Sequence, residues 1–189
     1  PHGAIDHILL FRKREMSQFM FYGIYLGLII SFVVLWHITP VISLLFFLLI
    51  SAFHFGESQF SDISFKKILR YTFYFFWGLC LLSSLMFYNV NELYEITSYF
   101  DDTIILEQVY NKEKISIFFY LTNLITIGFI LTLLLKKKIN TDRFFSELFL
   151  LFLIHITFFL FPFIIGFTLY FVALHSLKVM NDEFIFFKK

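Results

Sequence analysis

Charge is missing from most of this 189-residue chain. No Asp, Glu, Lys or Arg occurs in four runs, at 16–56, 71–91, 115–135 and 148–177. Apolar runs of roughly 18 or more residues are typical of transmembrane helices. The apolar share of 59% also exceeds the roughly 45–50% of soluble domains. This distribution excludes a soluble enzyme, a nucleic-acid binder and a disordered chain, and it predicts an integral membrane protein surrounded by lipid bilayer.

Several motifs that would indicate other chemistry are absent as well. The single cysteine, Cys80, lies inside an apolar run, and a lone cysteine excludes an intrachain disulfide. The chain has no glycine-rich phosphate loop, no Cys-x-x-Cys pair, no HExxH sequence and no nucleophile elbow. The HxxxH and HxxHH clusters of membrane desaturases are also missing. The six histidines are therefore the most informative polar residues of the chain.

The charge-free runs predict an all-α, polytopic transmembrane bundle. Pro40 and Pro162 divide the two longest runs, because proline interrupts a helix. Pro1–Leu10 is too short for a bilayer that needs about 20 residues, so we interpret it as the end of a truncated first helix. We expect one transmembrane domain over 1–189, incomplete at both ends, with about six full spans. The predicted spans are Phe19–Ile38, Val41–Phe55, Ile68–Tyr88, Ile115–Leu135, Phe144–Phe161 and Phe163–Val179.

The basic residues predict the orientation of the bundle. If the helices alternate, 13 of the 15 Lys and Arg residues fall on one face, including those around Lys66 and the block 136–138. Basic residues concentrate in cytoplasmic loops, so this face is predicted to be cytoplasmic and the protein to lie in the inner membrane. The opposite loop, 90–114, carries Asp101 and Asp102. It is expected either to form an interfacial helix or to be a solvated loop.

Three histidines are predicted to lie in the same leaflet on three different helices. His2 precedes the cytoplasmic end of the first helix, while His54 and His175 are placed at the cytoplasmic ends of their own helices. Helix bundles build metal sites from side chains on facing helices, and ionisable groups at membrane depth usually mark a site. The alternative is three separately hydrogen-bonded histidines at helix ends. The residues alone leave both interpretations open.

Two carboxylates stand at helical spacing from these histidines. Asp6 follows His2 by four residues, and Glu57 follows His54 by three. Residues at this spacing share a helix face, where each carboxylate could accept the second imidazole N–H, as happens around metal-binding histidines. Simple solvation at the membrane interface is the alternative for both.

The other histidines point elsewhere. His37 follows Trp36 at the opposite end of its span and is interpreted as an interfacial anchor. His155 lies near the middle of the membrane, where a hydrogen-bonded interior histidine is favoured over a metal ligand. His7 lies about 140° around the helix from His2, so the two are not expected to bind one ion.

Three motifs together resemble a known family. They are Pro-His-Gly-Ala at 1–4 followed by Asp-His at 6–7, Ser-Ala-Phe-His-Phe-Gly-Glu at 51–57, and Ala-Leu-His-Ser-Leu at 173–177. In order and rough spacing they are similar to the signatures of the Brp/Blh family of bacterial and archaeal membrane β-carotene 15,15'-dioxygenases. The resemblance implies an Fe(II) enzyme that splits β-carotene with O2 into two retinals, with a rhodopsin as one possible acceptor. It also implies His2, His54 and His175 as the iron ligands.

The chain departs from that family in its last motif. Val179 stands where many members have another histidine, and a later Pro-His motif does not occur. A further ligand would then come from Asp182 or Glu183, from water or from a segment outside this sequence. The alternative function is a non-catalytic carotenoid- or retinal-binding membrane protein of the same fold. A transporter is disfavoured, because the polar residues cluster in one leaflet rather than along a path across the membrane.

Overall fold

The computed structural model describes residues 17–64, 66–98, 111–180 and 184. The regular structure of these residues is helical and includes no strand. In chain order the helices are α1 (Gln18–Ile38), α2 (Pro40–Phe60), α3 (Lys67–Tyr88), α4 (Val90–Thr97), α5 (Lys112–Leu135), α6 (Thr141–Leu160) and α7 (Phe163–Leu169). Helix α7 continues without a break into a π-helix at Tyr170–Ser176, and the combined helix reaches Met180.

The prediction of an all-α transmembrane bundle is confirmed. Six of the described helices are long and apolar enough to cross a membrane: α1, α2, α3, α5, α6 and the combined helix Phe163–Met180. The turn predicted at Thr39 and Pro40 is also confirmed, since the Thr39 N–H donates to the Leu35 carbonyl and Pro40 begins α2. The truncated first helix proposed for Pro1–Leu10 lies outside the described residues.

Several helices begin at a polar capping residue that precedes the apolar run of the helix. Asn140 accepts a hydrogen bond from the Arg143 N–H, and Asn111 accepts from the Glu113 and Lys114 N–H groups. Such caps satisfy backbone donors that have no partner inside the helix. The start predicted for α6 at Phe144 is therefore three residues late, because Asn140 begins the helix at Thr141.

The predicted end of α2 at Phe55 is wrong, because the helix continues to Phe60. Side chains from other helices hold its last turn. Arg143 Nη2 donates to the Gln59 carbonyl at 3.1 Å, and Lys178 Nζ donates to the Ser58 carbonyl. Cations at a helix C-terminus satisfy its last carbonyls and interact favourably with its dipole. These tertiary contacts explain why polar residues after Phe55 remain helical.

The backbones of α2 and α3 approach closely where the two helices cross. Gly56 lies so close to the Tyr74 carbonyl that a methyl group on Gly56 would overlap it, and Gly78 stands in the same relation to the Ala52 carbonyl. Small residues let membrane helices approach closely without a side chain between them. This approach fixes the part of α2 that carries His54. By contrast, α1 has no buried residue and lies at the edge of the bundle.

A short helix, α4, forms the first part of the segment predicted as the 90–114 loop. Its Glu92 accepts a hydrogen bond from the Phe163 N–H at 2.7 Å, which joins α4 to the N-terminus of α7. An acidic side chain is stabilising at that end of a helix. Residues 90–97 of the predicted loop are helical, and Asp101 and Asp102 lie outside the described residues.

Candidate metal centre

The structure brings His54 and His175 together. Their ring centroids lie 5.3 Å apart, with the ring planes inclined at 74°. His54 comes from α2 and is exposed, whereas His175 comes from the π-helix and is 4% exposed.

Both histidines were predicted to lie at helix ends, and both are instead inside their helices. His54 precedes Phe60 by six residues and His175 precedes Met180 by five, about 9 and 7.5 Å at about 1.5 Å per residue.

The separation of the two rings fits a shared metal ion. Two imidazole nitrogens that bind one ion at about 2.1 Å each place their ring centroids within about 5–6 Å of one another. The separation of 5.3 Å lies in this range. Imidazole is a good ligand for iron, zinc and copper, so the two side chains fit an iron ion without selecting it over the others. Among the described residues, no group of three His, Cys, Asp or Glu side chains is placed to hold a metal.

The π-helix determines which way His175 faces. A π-helix closes its hydrogen bonds between residues five apart, so it brings such residues into register. Tyr170 and His175 are five residues apart and their rings are stacked at 6.3 Å with an angle of 29°. Both side chains are buried. Short π-helical turns inside α-helices occur frequently at functional sites, and the sequence contained no signal for this one.

Aromatic side chains enclose the His175 ring. Phe55 meets it edge-on at 5.0 Å and 86°, and Phe171 lies at 5.4 Å and 32°. Phe55 is buried and also contacts Tyr170 edge-on at 5.6 Å. Aromatic pairs prefer edge-to-face or offset arrangements with centroids about 4.5–7 Å apart. These contacts limit rotation of the imidazole and keep its surroundings apolar.

Ser58 supplies a polar contact that the sequence interpretation missed. Its Oγ lies 3.1 Å from His175 Nδ1, and the same hydroxyl donates to the Phe55 carbonyl at 3.0 Å. Ser58 is one turn beyond His54 on α2. A prediction that ended α2 at Phe55 could not place Ser58 on the same face as His54, and this explains the omission.

A buried ionic cluster lies beside the same end of α2. Glu147 is 2% exposed, and Gln59 Nε2 donates to both of its carboxylate oxygens at 3.0 and 2.9 Å. Arg143 Nε lies 2.7 Å from Glu147 Oε1. The sequence analysis assigned no role to Glu147, which borders a charge-free run, and so did not predict this cluster. The Arg143–Glu147 spacing of four residues is the signal that could have indicated an ion pair.

The other residues predicted for the metal site remain predictions. His2, Asp6 and His7 lie outside the described residues, as do Asp182 and Glu183. Glu57 is exposed, and its role beside His54 stays a prediction. Because His2 and Asp6 lie outside the described residues, His2 as a third ligand and Asp6 as its partner stay predictions.

His155 and His37 were assigned to roles other than metal binding. His155 Nε2 is 3.0 Å from Asn123 Oδ1, and its Nδ1 is 3.4 Å from the Tyr88 hydroxyl. The interpretation of His155 as a hydrogen-bonded interior histidine is confirmed. His37 is exposed in the last turn of α1, and its role as an interfacial anchor stays a prediction.

Comparison with known proteins identified one family. A family model described as beta-carotene 15,15'-dioxygenase matches residues 1–189. No match was found to a curated protein or to a solved structure.

Proposed function

The chain belongs to the beta-carotene 15,15'-dioxygenase family, and from that premise we propose that it cleaves β-carotene at its central 15,15' double bond. The oxidant is O2 and the products are two molecules of retinal. The reaction takes place at an intramembrane non-haem Fe(II) site held by His2, His54 and His175. The observation that carries this proposal is the 5.3 Å approach of His54 and His175, which come from helices distant in sequence.

The proposed reaction balances without a further reductant. One carbon–carbon double bond breaks and two carbonyl groups form, so both atoms of O2 enter the products and the polyene supplies all the electrons. When bound, iron supplies the coordination and activation of O2. Three neutral imidazoles leave coordination positions open, as oxygenase sites require.

The described residues would hold and enclose the reacting centre. The His54 and His175 side chains would bind the metal, and Phe55 and Phe171 would keep the His175 ring in place. Apolar surroundings exclude water, which protects the site from side reactions. The exposed side of His54 provides an approach for a long apolar polyene that diffuses laterally within the bilayer.

We also propose the location of the site. The helix ends nearest to His54 and His175 lie beside basic residues, including Lys66, Lys67 and Lys178. Basic residues favour the cytoplasmic side, so the site is assigned to the cytoplasmic leaflet of the inner membrane.

Expression in a bacterial host that accumulates β-carotene tests the proposal. We expect the cells to lose their colour and to accumulate retinal, whereas a His175→Ala variant inserted to the same level keeps them coloured. His37→Ala is the matched control, because it removes an exposed histidine from α1 and should leave cleavage intact. Persistent colour with carotenoid bound to the wild-type protein would overturn the proposal in favour of a non-catalytic carotenoid-binding protein.

A further inference from the structure

We propose that Ser58 is a positioning residue that sets the tautomer of His175, so that Nδ1 carries the proton and Nε2 presents the lone pair. The inference extends the proposed metal site, because a neutral histidine binds a metal through its unprotonated nitrogen. It is carried by the hydrogen bonds of one hydroxyl group and concerns the protein before any metal binds.

The Ser58 hydroxyl carries a single proton and can donate one hydrogen bond. Its Oγ lies 3.0 Å from the Phe55 carbonyl oxygen. A carbonyl oxygen has no proton to give, so the hydroxyl must be the donor in this contact. Bonds of this kind to the carbonyl three residues earlier are common for serine in helices.

The same oxygen lies 3.1 Å from His175 Nδ1. With the hydroxyl proton directed at the Phe55 carbonyl, the Ser58 oxygen accepts here and His175 Nδ1 donates. A neutral imidazole has one N–H, so Nε2 is then the nitrogen with the lone pair. If the hydroxyl donated to His175 instead, Nε2 would carry the proton and could not bind a metal.

Two neighbouring contacts hold this geometry. Lys178 Nζ donates to the Ser58 carbonyl, which attaches the last turn of α2 to the helix that carries His175. Phe55 packs edge-on against the His175 ring, and its carbonyl is the acceptor for the Ser58 hydroxyl. Residues that accept the second N–H of a metal-binding histidine orient the ring and commonly affect metal affinity or activity by about 10- to 100-fold.

Nitrogen-15 NMR of the metal-free protein at pH 8, in lipid nanodiscs with labelled histidine, tests the inference directly. The His175 signals are assigned by their loss in His175→Gln. We expect the wild type to carry the proton on Nδ1, and Ser58→Ala to lose that preference. Ser58→Thr retains a hydroxyl and should restore it. A wild-type proton on Nε2, protons on both nitrogens, or a Ser58→Ala spectrum identical to that of the wild type would overturn the inference.

Ser43→Ala is the matched control. Ser43 lies on the same helix, is buried, and donates to the carbonyl of Thr39 four residues earlier at 2.8 Å. A general effect of removing a serine hydroxyl from α2 would appear in both variants, whereas the tautomer effect requires Ser58. Because the spectra are recorded without metal, they separate this inference from the proposed reaction. An Nδ1–H signal in a protein that makes no retinal supports the tautomer and contradicts only the reaction.

Titration with Co(II) gives a second readout. We expect Ser58→Ala to bind Co(II) about 10- to 100-fold more weakly than the wild type, and Ser58→Thr to bind within a few-fold of it. Equal affinity in Ser58→Ala and the wild type would contradict a role for Ser58 in presenting His175.

Discussion

Gly56 and Tyr74 meet backbone to backbone where α2 crosses α3. A methyl group added to Gly56 would overlap the Tyr74 carbonyl group, so the helices can keep this distance only with glycine at position 56. Gly56 lies two residues after His54. The same crossing therefore holds α2 to the bundle and places one of the proposed metal ligands.

Gly56→Ala should destabilise the protein by about 1–3 kcal/mol, because the extra methyl forces the helices apart. The measurement is thermal unfolding of the purified protein in detergent micelles. Gly128→Ala is the control, since no atom of the described residues lies within 4 Å of a Cβ at Gly128, and alanine there should improve helix propensity by up to about 1 kcal/mol. Equal melting temperatures for the two variants would contradict the tight crossing.

Glu147→Ala should also lower stability. It leaves the Gln59 amide and the Arg143 guanidinium without their buried acceptor, which costs about 1–3 kcal/mol. Asp142→Ala, which removes an exposed carboxylate five residues earlier on the same helix, serves as the comparison in the same unfolding assay. If Glu147→Ala unfolds no earlier than Asp142→Ala, the cluster does not hold α2 to α6.

The orientation of the bundle can be tested by cysteine labelling in intact cells. Lys137→Cys is expected to be protected from an impermeant reagent and Asp101→Cys to react, because basic residues predict that the first is cytoplasmic. The native Cys80 is buried and should not contribute to the signal. Labelling at position 137 and protection at position 101 would reverse the topology.

The two carboxylates beside the histidines should have intermediate effects. Glu57→Gln and Asp6→Asn each keep the side-chain volume while removing the charged acceptor proposed for His54 and His2. We expect cleavage to fall by about 10- to 100-fold rather than to vanish. The measure is retinal formed per amount of purified protein, and unchanged rates would assign both carboxylates to simple solvation.

The helices could be predicted because their causes are local. Charge-free runs and the prolines at 40 and 162 indicate where six spans begin and end. The end of α2 could not be placed in this way. Its last turn depends on Arg143 and Lys178, which lie more than 80 residues further along the chain, and no local pattern encodes such contacts.

The candidate metal site was likewise predictable only in part. Helix order and the alternation of spans put His54 and His175 at one end of the bundle, and the structure places their rings 5.3 Å apart. The π-helix that stacks Tyr170 on His175 had no counterpart in the sequence pattern, because α- and π-helical turns can share the same apolar composition. Ser58 was missed because its importance follows from its contact with His175.

The iron content of the purified protein shows whether His54 and His175 hold one metal ion. Wild-type protein isolated under anaerobic conditions is compared with His54→Ala, His175→Ala and the control His37→Ala. We expect the wild type and His37→Ala to retain iron in equal amounts, while His54→Ala and His175→Ala each lose nearly all of it without losing membrane insertion. Full iron occupancy in His54→Ala or His175→Ala would contradict a metal shared by these two histidines.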